Sequence, residues 1–69
     1  MGLMKNIVYR YSDSKWSDDL EIDPNGECTL RKGDILERRG RHWLVDSVIV
    51  EAETAIPTFW IYLIDPLVN

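Results

Sequence analysis

The chain has one cysteine, one histidine, four glycines and three prolines in 69 residues. A single cysteine cannot close an internal disulfide, and one Cys with one His falls short of the ligand set of a structural metal. Neither bond nor ion staples such a fold, so apolar residues must supply its core. The longest apolar run, Phe59 to Ile64, is far shorter than the ~20 residues a transmembrane helix needs. Positive charge is also scarce. Twelve acidic residues against eight basic ones leave a net charge of −4, which disfavours nonspecific nucleic-acid binding by the whole surface. The opening Met1-Gly2-Leu3-Met4 is too short and uncharged for a secretory signal. Asn6 stands where a myristoylation motif wants Ser or Thr. With the lone cysteine, these features predict a cytoplasmic protein away from membranes.

What is present is aromatic. Three Trp, three Tyr and one Phe each can bury about 150–250 Å². A chain this short buries only about 60% of its unfolded surface, so one compact domain over 1–69 is all it can form.

The apolar pattern alternates rather than cycling at a helical period. From Lys5 to Tyr11, Ile7, Tyr9 and Tyr11 share one face and Asn6, Val8 and Arg10 the other. Asp23-Pro24-Asn25-Gly26 carries the residues of a tight turn. Lys32-Gly33-Asp34 turns the chain again, and Arg39-Gly40-Arg41 reads as a tight hairpin connection with Gly40 at positive φ. In the longest Val- and Ile-rich run, Trp43, Val45 and Val48 share a face only if a bulge falls near Asp46-Ser47. These signals predict an all-β fold, a small barrel of five or six strands near 5–11, 20–22, 27–31, 34–38, 42–51 and 58–64.

With the strands placed, the sequence resembles an SH3 domain. Ile7-Val8-Tyr9-Arg10-Tyr11 resembles the family's Ala-Leu-Tyr-Asp-Tyr opening, and Cys28-Thr29-Leu30-Arg31-Lys32-Gly33-Asp34 its Leu-Ser-Phe-Lys-Lys-Gly-Asp segment. Trp43-Leu44-Val45 is similar to the second Trp of its Trp-Trp pair and the residues after it. Ala55-Ile56-Pro57-Thr58 is similar to its Tyr-Ile-Pro-Ser. The resemblance implies an SH3-like barrel and an aromatic shelf on which Tyr9, Tyr11 and Pro57 match the family's ligand-gripping positions. His42 stands where the shelf Trp belongs, and Trp60 where its last Tyr belongs. Many SH3-like barrels bind something other than proline-rich peptides.

No catalytic constellation emerges. His42 has no nucleophile beside it in the pattern, and Cys28 reads as a small core residue. Asp18, Asp19, Glu21 and Asp23 lack the spacing of a calcium loop, so neither metal nor cofactor is expected. If Phe59, Ile61 and Leu63 face the core, Trp60 and Tyr62 face outward and make an adhesive patch. The expected function is therefore a small non-enzymatic protein-interaction module, of the kind a bacterial or phage accessory protein provides. Its expected contact residues are Tyr9, Tyr11, Trp16, His42, Pro57 and Trp60.

Charge segregation supplies the alternative. Residues 12–30 hold six acidic side chains and one lysine, while 31–42 hold five basic and two acidic ones. Arg31, Lys32, Arg38, Arg39 and Arg41 are thus the candidate residues of a nucleic-acid-binding barrel. A homo-oligomer sealed by the last strand is the third reading.

Overall fold

The computed structural model describes residues 4–13, 15–24, 26, 30–53 and 55–66. Five strands form one sheet, and no helix occurs among the described residues: β1 (Lys5–Tyr11), β2 (Asp19–Asp23), β3 (Ile35–Arg38), β4 (Arg41–Glu51) and β5 (Thr58–Ile64). Their order across the sheet is β2-β1-β5-β4-β3. All pairs are antiparallel except β1 with β5. The parallel pair follows from parity. Five strands that alternate in direction bring the fifth back beside the first running the same way. The sheet curls into a half-barrel, a shape compatible with a small SH3-like barrel.

The expected strands fall close to the observed ones, with one exception. Of the strand expected over 27–31, residues 27–29, including Cys28, lie outside the described residues. Leu30 and Arg31 are not in a strand; Leu30 packs against the core instead. The observed partner of β2 is β1, with Val8 opposite Leu20 and Asn6 opposite Ile22.

Local chemistry explains the turns. Arg39 (φ 55°) and Gly40 (φ 75°) form the two-residue link between Arg38 and Arg41. Two successive positive φ angles match the right-handed strand twist across so short a hairpin. At the preceding corner the Asp34 carboxylate accepts from the Arg31 amide at 2.9 Å, and the Asp34 amide donates to the Arg31 carbonyl at 3.0 Å. Gly33 sits there at φ 96°. Its amide donates to the Val45 carbonyl and the Val45 amide to the Asp34 carbonyl, tying the corner to β4.

The expected bulge is present: pairing with β5 skips from Val45 to Ser47, leaving Asp46 as the extra residue. That insertion puts Trp43, Val45 and Val48 on one face. With Ile7, Tyr9, Tyr11, Ile61 and Leu63 they fill the concave side, and Trp43, Val45, Ile61 and Leu63 are at most 1% exposed. Trp16, Leu36 and Phe59 pack on this cluster. Alternation then sends Leu20, Ile22, Val8, Trp60, Tyr62 and Ile49 to the convex side.

Candidate interaction surface

The half-barrel leaves β2 and β3 as its edges, with no backbone ladder between them among the described residues. Side chains bridge the gap. The Tyr11 hydroxyl donates to the Asp19 carboxylate and accepts from Arg38 Nε at 3.0 Å. Arg38 also donates to Glu21 at 2.6 Å and lies 3.6 Å from Asp19. Arg39 donates to Asp19 through both Nη2 and Nε, the latter at 3.1 Å. The hydroxyl, two guanidinium groups and two carboxylates thus form one network across the seam.

The basic hairpin turns its charge inward onto this frame. The Arg38 guanidinium lies 3.9 Å from the Tyr9 ring centre, Arg39 5.1 Å from Trp16, and Arg41 4.2 Å from Trp43. Arg41 also pairs with Asp65 at 2.8 Å. Burial works against the Arg38 charge, but the hydrogen bonds it donates to Tyr11 and Glu21 more than offset it and raise its pKa. Arg31 and Lys32 are exposed in the turn before β3.

The Asp19 carboxyl is held below its ordinary value, first by the Tyr11 hydroxyl and then by Arg39 and Arg38. Because the folded pKa lies below the unfolded value of about 4, the unfolded chain takes up its proton first. This stabilisation is therefore complete above about pH 4 and is lost as pH falls through the folded pKa. We expect Asp19→Asn to cost about 1 kcal/mol at neutral pH. The difference from the wild-type protein should shrink as pH drops below about 4. Urea unfolding across the acid and neutral range checks this, and a deficit that stays constant with pH would refute the role of the Asp19 charge.

The expected contact residues are split by the fold. Tyr9 and Tyr11 are 6% and 9% exposed and face the core, so they form the floor beneath the arginines rather than an open shelf. Trp16 is half-buried against that core, under Arg39. Pro57 is half-buried where its carbonyl accepts from the Asn6 amide at 2.9 Å. His42 is exposed on β4, 3.9 Å from Glu37. Trp60 lies on the convex side, its indole N–H donating to Glu51 at 2.7 Å, with Arg10 5.6 Å from its ring centre. The six do not share one surface.

The fold assembles a different set around Trp60. Leu20, Val8, Trp60 and Ile49 occupy matched positions on four neighbouring strands. They make an apolar row across the convex face. Leu20 is 67% exposed and Ile49 51%, and Ile22 beside them is 58% exposed, whereas Val8 is covered at 9%. One step along the strands lies a second row, Arg10, Tyr62 and Ser47. It borders a cleft of about 400 Å³ whose lining includes Trp16, Asp18, Asp46, Tyr62 and Ile64. Of the apolar row Leu20–Val8–Trp60–Ile49, the sequence pattern singles out Trp60 alone. Leu20 and Ile49 belong to different strands, and only the register reveals them as neighbours.

Among the described residues, no group of His, Cys, Asp and Glu is arranged to hold a metal ion, and no helix is long and apolar enough to cross a membrane. Compared with family models, with curated proteins and with solved structures, the chain finds no match in any of the three.

Proposed function

We propose that this chain is a small protein-interaction module that binds through the convex side of its sheet. The observation that carries the reading is the row Leu20–Val8–Trp60–Ile49. A soluble sheet ordinarily turns polar residues to water on the side away from its core. Here two large aliphatic side chains of the row stand more than half exposed beside a tryptophan. Contiguous exposed apolar groups with Trp, Tyr and Arg among them are the composition of a contact patch. The kinship to SH3 domains belongs to this proposal, but the surface does not coincide with that family's peptide shelf, whose tyrosines are roofed by arginines here. The nucleic-acid alternative gains no support, because Arg38, Arg39 and Arg41 are already engaged within the fold.

Ile49→Glu tests the reading without touching the core. The tagged wild-type protein should retain a partner from extract of its source cells that, once repurified, binds saturably. The variant should lose at least about tenfold in affinity while keeping the wild-type pattern of amide resonances. Equal affinity of both forms for every retained protein would dispose of the convex surface as the contact site.

A further inference from the structure

The convex row is not neutral at its borders. The Asp18 and Asp46 carboxylates line the cleft at the Tyr62 end. Glu51 and Glu53, with Val50 and Ala52, line another of about 460 Å³ at the opposite end of the strands. Against these four, Arg10 pairs with Asp18 at 3.3 Å, and Lys5 stands at the start of β1 with its ammonium 4.5 Å from the Phe59 ring centre. Glu51 accepts from Trp60. Asp46 and Glu53 are exposed and make no ion pair or hydrogen bond among the described residues.

We infer that the occupant of this face is a basic amphipathic helix of another protein, a conclusion that rests on the reading of the convex side as a contact surface. Strand spacing sets the dimensions. The apolar row crosses four strands, about 14 Å at ~4.8 Å per step. The two acidic borders are five residues apart along β4, from Asp46 to Glu51, or about 13 Å once the bulge at Asp46 is discounted. A helix about 10–12 Å across, lying along the row, rests its apolar stripe on Leu20, Trp60 and Ile49. Lysines or arginines flanking that stripe on both sides then reach the two borders, their stems covering the gap. A second copy of this chain fits poorly, since it would bring the same carboxylates face to face. An anionic lipid surface is repelled for the same reason.

The test titrates the isotopically labelled chain with an 18-residue leucine-striped helical peptide carrying lysines on both flanks. A peptide with glutamates in those places is the control. The lysine peptide should give saturable shifts at the Trp60 indole and at Tyr62 and Ser47, weakened by added salt. The double variant Asp46→Asn, Glu53→Gln, which alters two exposed unpaired groups, should bind about tenfold more weakly. Tighter or equal binding of the glutamate peptide overturns the charge assignment. So do shifts confined to Arg38–Arg41, no binding of either peptide, or a sedimentation dimer abolished by Ile49→Glu. If the lysine peptide fails while Ile49→Glu still releases a repurified partner, the partner chemistry is wrong and the contact surface stands. If Ile49→Glu releases nothing, the surface itself is wrong.

Discussion

Trp43→Ala should destabilise the domain by about 3–5 kcal/mol, removing most of its stability. Trp43 is fully buried, and its indole N–H donates to the Arg38 carbonyl at 3.0 Å. Its ring lies 4.9 Å from that of Tyr11, tilted by 55°, with the Arg41 guanidinium on its face. Truncation would open a cavity, strand a backbone acceptor at the hairpin that carries the seam arginines, and free Tyr11 from its packing partner. A chain of this size has about 5 kcal/mol in total to lose. No disulfide is available to hold the rest together. Chemical denaturation with far-ultraviolet circular dichroism measures the cost. A loss below about 1 kcal/mol, typical of surface substitutions, would show that the concave side is not the main core.

The second large effect concerns two neighbours in β5. Ile61→Ala should cost about 2–5 kcal/mol, whereas Trp60→Ala should cost about 1 kcal/mol although it removes many more atoms. Ile61 is fully buried between Tyr9 of β1 and Val48 of β4. Its removal leaves a hole that the packed neighbours cannot refill. Trp60 is half-buried on the other side, and deleting it forfeits a hydrogen bond to Glu51, the contact with Arg10 and part of the cover over Val8. The ordering of the two costs checks which side of the sheet is core. Parallel urea titrations decide it, and a Trp60→Ala variant more damaging than Ile61→Ala would invert the assignment of faces. If the proposed contact surface holds, the same Trp60→Ala protein should fold and yet lose binding, so stability and binding would separate at one position.

Much of the fold was legible in the residues, and the reasons are local. Alternation at Ile7, Tyr9 and Tyr11, and at Phe59, Ile61 and Leu63, fixes which side of each strand is apolar, because side chains alternate with period two. Arg39-Gly40 forces a two-residue hairpin because Gly accepts positive φ. The slip between Val45 and Val48 demands an extra residue, and Asp46 supplies it. The strand expected over 27–31 is the departure, since Leu30 reaches the core without a ladder.

The candidate site was much less legible, for a physical reason as well. Tyr9 and Tyr11 carry hydroxyls and resemble shelf residues, but whether an aromatic face is open depends on what lies over it. Here that is Arg38 and Arg39, distant in sequence and delivered by the hairpin after β3. Within the basic run, Arg38 and Arg39 clasp the seam, because Asp19 and Glu21 stand across from them.

Sequence alone therefore determined the positions of the five observed strands, the hairpin turn at Arg39-Gly40, the bulge and the apolar side of β1 and β5, all set by interactions within a few residues. Tertiary structure decided which strands pair, that β1 meets β5 in parallel, and that Leu20, Val8, Trp60 and Ile49 align. It also decided that acidic and basic segments neutralise each other across an open seam. These outcomes depend on sheet register and curvature, which bring residues as distant in the chain as Val8 and Ile49 onto one row, on either side of Trp60.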